Sequence, residues 1–263
     1  MKKAAAVLAF LTILGPGGVV RADVLVTDLS EHQVAIRSNF TGTQILLFGA
    51  VEARSPGSDR LDRDVIVVVQ GPTRPITVRK KERVAGLWVN HDSVTYPNAP
   101  GYYAIATTRP LEVTADPELL KSLRIGIENI NPGVASARSI EGSVQILQPE
   151  AESAFWKALI RNQKRDGLYI NLPGGVTFLG QTLFRATVDI PANVPVGLYT
   201  AKVYLLQNGE IVDTISSPLY IEKRGVERFL YRMAHSDPLL YGLVAVFVAA
   251  FAGWLASAVM NRR

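Results

Sequence analysis

Few side chains in this 263-residue sequence have the types and spacing that acid–base or metal chemistry needs. The most enzyme-like string is His91-Asp92-Ser93, which holds the three residue types of a hydrolase relay. Consecutive side chains on an extended strand point to opposite faces, so these three are not expected to converge on one proton path. They are read as a polar turn between short strands at 87–90 and 94–96. His32, His91 and His235 are isolated, with no second ligand at zinc-type spacing. Asp59, Asp62 and Asp64 come nearest to a calcium loop, but its turn glycine and closing glutamate are missing, and Arg60 and Arg63 oppose the charge. Gly174-Gly175 follows Pro173 without the Lys-Ser/Thr of a phosphate loop. The absence of cysteine removes thiolate nucleophiles, thiolate metal sites and disulfides together. The chain is therefore read as a non-enzyme, with no catalytic residue, metal ligand or cofactor site assigned.

Recognition is better served than catalysis. Arg79, Lys80, Lys81 and Arg83 form one basic cluster, read as a solvated hairpin tip with anionic lipid, a polyanion or a protein as the other candidates. Trp88, His91 and Tyr102 form a candidate surface interaction group, with burial of Trp88 in a second sheet as the competing reading.

The elements that would position these residues are mostly strands. Val34 and Ile36 alternate with polar neighbours, as do Ile76 and Val78, while 45–51 and 65–69 are near-continuous apolar runs of the kind central strands carry. Turn-forming stretches at 55–59, 71–72 and 97–101 separate them. Asp116-Pro117-Glu118 is a helix start, and 149–164 reads as a helix with Phe155, Trp156, Leu159 and Ile160 as its buried stripe. Phe184, Ala186, Val188 and Ile190 alternate along a later strand, and Asn208-Gly209 is the turn that best fits a two-residue hairpin. A short echo links 97–103 with 191–199: a proline-bounded loop, Gly-x-Tyr, then a long strand. It makes Tyr103 and Tyr199 candidate corner tyrosines of two related immunoglobulin-like sandwiches.

Charge and hydropathy add topology. The net charge of +5 resides in the ends: without Lys2, Lys3, Arg21, Arg262 and Arg263, 23 of 28 basic residues face 23 acidic ones. A nucleic-acid footprint is thereby excluded. Residues 1–22 read as a cleavable signal peptide, with a basic start, an apolar run at 4–14 and small residues before the cleavage point. Residues 239–260 carry no charge and are long enough for one transmembrane helix, followed by Arg262 and Arg263. Between body and helix, 225–235 has the pattern of an amphipathic juxtamembrane helix. Ala245, Ala249, Gly253 and Ser257 recur every four residues, a small-residue row suited to a membrane-helix contact face.

The stretches ADVLVTDLSEHQVAIRSNFTGTQILLFGA, DVIVVVQGP, RKKERVAGLWVN and PGYYA resemble the alphaproteobacterial putative transmembrane protein family, over essentially all of the chain from Asp23 onward. The resemblance implies an exported, single-pass protein. It also implies genes beside permeases of the sulfite-exporter type, hence an accessory role, and it assigns no functional residue.

Together these readings give a mainly β protein. Residues 1–22 are the signal peptide, and 23–115 and 116–221 are tandem sandwiches, the second with helices near 117–123 and 149–164. Residues 222–237 are the juxtamembrane helix, 238–260 the transmembrane helix and 261–263 a cytoplasmic tail. The expected location is the inner membrane with the body in the periplasm. The expected partners are membrane lipid and an integral membrane protein or a second copy. A solute- or ion-binding receptor subunit of a transport system is the alternative.

Overall fold

The computed structural model describes residues 24–36, 40–52, 63–138, 144–145, 149–223, 234–235 and 238–260. The readings made of residues 1–22, of Asp59 and Asp62, of most of 222–237 and of 261–263 fall outside the described residues.

The body is β-rich, as expected, and its strands run β1 (Val24–Leu29), β2 (Gln33–Ile36), β3 (Gly42–Glu52), β4 (Arg63–Gln70), β5 (Thr73–Val84), β6 (Leu87–Pro100) and β7 (Tyr103–Thr107). Short helices α1 (Leu111–Thr114) and α2 (Pro117–Ser122) follow, then β8 (Ser136–Arg138), β9 (Val144–Gln145) and the long helix α3 (Pro149–Arg165). The chain continues through β10 (Tyr169–Pro173), β11 (Val176–Leu179), β12 (Leu183–Pro191), β13 (Gly197–Gln207), β14 (Glu210–Lys223) and the terminal helix α4 (Pro238–Met260).

Two tandem sandwiches are not what these strands build. One sheet has the order β1-β3-β12-β11 and the facing one β10-β7-β4-β13-β14-β2, so both draw strands from either side of residue 115. Periodicity identifies a strand but not its partner, and the partners here are distant in sequence: β3 pairs with β12, and β2 runs parallel to β14. The echoed segments lead into β7 and β13, which flank β4 in one sheet rather than heading two domains.

The core sits between these sheets. Leu25, Leu29, Ile45, Leu47, Val51 and Phe184 face inward from the first sheet, and Val65, Val67, Val69, Ala201, Val203 and Leu205 from the second. β4 is buried on both faces because Ile125, Ile127 and Ile130 of the 111–133 segment also lie buried beside it. Gly49 marks a close approach: a Cβ there would meet Phe184 Cζ at 2.5 Å and the Val26 carbonyl at 2.7 Å.

A third sheet, β5-β6-β8-β9, packs beside α3. Tyr96 joins the two, donating its hydroxyl to the Glu152 carbonyl at 2.9 Å and meeting Trp156 edge to face. Local sequence signals are realised here. Asp116 caps α2 by accepting from Glu118 N at 2.7 Å, and Leu159 and Ile160 of α3 are buried with Phe155 and Trp156 partly so.

α4 is 23 residues long with no charged side chain. Among the described residues, no helix is long and apolar enough to cross a membrane. The backbone of the whole helix rises about 35 Å.

Candidate functional site

The enzyme-like string is not a turn. β6 runs from Leu87 to Pro100, and the register shifts at the string itself: Arg79 pairs with Ser93 and Lys81 with Asn90, so His91 and Asp92 together stand opposite Lys80. That irregularity also removes the strict alternation. His91 Nδ1 lies 2.9 Å from Asp92 Oδ1 and 3.7 Å from Glu82 Oε2 across the hairpin, an acid–imidazole cluster at a partly exposed position. Asp64, expected in a solvated loop, is buried instead. It accepts from Thr108 Oγ1 at 2.6 Å and from Arg109 Nε at 2.9 Å, with Arg109 Nη2 on its other oxygen. A buried carboxyl group needs such hydrogen bonds to replace its lost hydration, and this pair ties β4 to the end of β7. Among the described residues, no three His, Asp or Glu side chains gather as a metal centre would require.

The candidate surface group is split. Trp88 is 69% exposed beside the β5–β6 turn, whereas Tyr102 is 0% exposed at the base of the hairpin, so Tyr102 is no surface residue. About 14 residues of extended chain, roughly 40 Å, separate the two. Tyr102 belongs to a set of buried phenols. Its hydroxyl donates to the Asp189 carbonyl at 2.7 Å, Tyr169 donates to Pro100 O at 2.9 Å, and Tyr199 donates to Pro195 O at 2.6 Å. Tyr199 thus makes the short backward bond expected of a corner tyrosine. Tyr103 does not: its hydroxyl accepts from Gly126 N at 3.0 Å, pinning the 111–133 segment to the sheet. Burial raises all of these phenols, Tyr103 to about 12, and Tyr96 to about 12 with the Glu152 charge adding to it.

Three surfaces remain for recognition. The first is the outer face of β1-β3-β12-β11, where Val26, Ala50, Leu183 and Leu179 stand in register across four strands with Phe48 and Leu46 beside them. All but Ala50 are exposed. The sequence holds this signal in the near-continuous apolar run at 45–51, the kind a central strand carries. One face of that strand is open. The second surface is the β5–β6 hairpin with its basic cluster. The third is a cavity of about 430 Å³ over the outer face of β4 and β13, lined by Gln70, Asn98, Arg124, Asn131, Lys202 and Tyr204 among others.

All described side chains of α4 are exposed, the row Ala245, Ala249, Gly253 and Ser257 among them, and a Cβ on Gly253 would meet nothing within 4 Å. The sequence profile of one family, described as "Putative transmembrane protein (Alph_Pro_TM)", matches residues 24–262. The chain belongs to this family. The match bears out the resemblance read from the sequence and supports membrane association. No curated protein matches the chain.

Proposed function

We propose that this family member is a non-catalytic interaction protein, anchored in the inner membrane by α4 with its body outside the cytoplasm. The observation that carries the reading is the apolar row of Val26, Leu183 and Leu179, with Phe48 beside it between Asp28 and Arg185, exposed on a sheet whose other face packs on the core. Contiguous apolar surface on a folded body marks a binding site rather than a core defect. The anchor rests on the length and neutrality of α4, and the orientation on the export signal at 1–22. The partner is an integral membrane protein, and the sequence resemblance implies a permease of the sulfite-exporter type. The row Ala245, Ala249, Gly253 and Ser257 gives its membrane helix a close-approach face.

A photo-crosslinking residue at Phe48, in the native membrane, is expected to yield one discrete adduct with an integral membrane protein. Leu183→Asp should abolish it, since a buried carboxylate would be unpaired at the contact. Absence of any adduct from Val26, Phe48 and Leu183 alike would sink the reading. The cavity over β4 supports a second reading, a solute receptor, because Gln70, Asn98, Arg124 and Lys202 converge on it. A small anion that raises the melting temperature, with the rise lost in Lys202→Ala, would favour that one.

A further inference from the structure

The β5–β6 hairpin is unlike the rest of the body because its tip packs against nothing that is described. Every residue from Arg79 to Trp88 is exposed. At the tip, Val84, Leu87 and Trp88 are 50%, 71% and 69% exposed, around a turn at Ala85-Gly86 with no described atom within 4 Å of a Cβ on Gly86. Behind that apolar cap stand Arg79, Lys80, Lys81 and Arg83. Three of them line a cleft of about 310 Å³ against α3 with Arg161 facing them, its floor made by Val78, Ala154, Phe155 and Ala158. No carboxylate lines the cleft, and the nearby acids Glu82 and Asp92 are turned to His91.

The placement of the hairpin gives this chemistry a direction. Its base, at Gly71-Pro72 and Pro100-Gly101, lies at the end of the sandwich where β14 finishes: Gly197 pairs with Ile221, and a Cβ on Gly197 would sit 3.1 Å from Pro72 Cγ. Strand β14, the last described strand before α4 in sequence, ends there at Lys223. The hairpin therefore leaves the body from the end at which β14 finishes, and its 12 residues of β5 reach about 40 Å.

We infer that the hairpin docks on the surface of an anionic bilayer. Val84, Leu87 and Trp88 enter the headgroup layer, where an indole is at home, and the cations behind them meet lipid phosphates. The four cations of β5 lie within six residues of Ala85, roughly 20 Å along the strand, so the nearest ones fall inside the Debye length of about 8 Å and the headgroup layer covers others. The inference rests on α4 holding the chain in a bilayer, and the test reports the two separately.

Because the chain lacks cysteine, Leu87→Cys and Ala249→Cys can each carry one environment-sensitive fluorophore in the full chain. The labelled protein is placed in nanodiscs of phosphatidylcholine alone, or of equal parts phosphatidylcholine and phosphatidylglycerol. The Ala249 probe reports the anchor and should be shielded from an aqueous quencher in both. The Leu87 probe should become blue-shifted and shielded in the anionic discs only. Lys80→Gln/Lys81→Gln should lower its docking equilibrium constant about 25-fold, at roughly five-fold per cation near the surface. A Leu87 probe that stays in water in anionic discs overturns the inference, whatever the Ala249 probe shows. Equal shielding in neutral discs overturns it in favour of a protein contact. Shielding produced by inorganic phosphate in neutral discs overturns it in favour of a free-anion site.

Discussion

Two hairpins in this chain close through the same kind of turn and are put to opposite uses. Asn208 and Gly209 join β13 to β14 with φ of +53° and +81°, and Ala85 and Gly86 join β5 to β6 with φ of +49° and +86°. Both turns take the left-handed conformation at two successive residues, which matches the twist of the strands they join. The first hairpin is zipped into the centre of a six-stranded sheet, between β4 and β2, and its inward side chains are sealed. The second is held by β8 and α3 along its lower half and bare above. Turn chemistry closes a hairpin; the side chains it leaves outside decide what the hairpin is for.

The comparison can be broken most forcefully in the strands. Leu205 is fully buried on β13, so Leu205→Ala should cost about 3 kcal/mol through lost transfer and an unfilled cavity. Leu87→Ala on β6 should stay within about 0.5 kcal/mol. Urea denaturation of the two variants checks both, and similar losses would mean that the β5–β6 tip is packed after all.

Alkali should separate the regions next, because the buried phenols lie at the hairpin bases and in the sandwich, and none lies near the Ala85-Gly86 tip. The Tyr103 phenol is raised by burial to about 12, with the Gly126 hydrogen bond working against the rise. A group whose folded pKa exceeds its unfolded value near 10 gives stability that is complete below pH 10 and lost above it. Denaturation midpoints should hold steady to about pH 9.5, then fall by up to ~1.4 kcal/mol per pH unit for each such phenol. Tyr103→Phe should fall less steeply, and an unchanged slope in that variant would count against the assignment.

The smallest effects should come from the turns themselves. Asn tolerates the left-handed region and Ala does not, so Asn208→Ala is expected to lose about 1 kcal/mol and Ala85→Gly to gain a similar or smaller amount. Thermal melts of both variants, moving in opposite directions, would confirm that the two turns share one geometry.

What the sequence disclosed was local. Asn208-Gly209, the Asp116 cap, the stripe of α3 and the alternation of β12 each depend on residues within a few positions of one another, and all four appear as read. Ala85-Gly86 carries little turn signal in the sequence because alanine is an unusual left-handed residue, and the polar letters at His91 imitate a turn inside β6. The partnership of β3 with β12, the burial of Tyr102 and the open apolar face on Phe48 depend on contacts made far along the chain. Periodicity carries no record of those. Tyr199 was found because its bond spans four residues; Tyr103 was misassigned because its partner, Gly126, is twenty-three residues away.

The pairing of β2 with β14 also imposes an order of assembly. Gln33 donates to Glu222 across a separation of 189 residues, so synthesis delivers one edge of the six-stranded sheet long before its neighbour exists. β4 must likewise wait for β13, and β3 for β12. Loop closure over such distances is slow, on the millisecond-to-second scale of non-local β folds, and leaves apolar strands unpaired meanwhile. The emerging chain thus stays open until nearly the whole body has been made, with α4 the next element to follow.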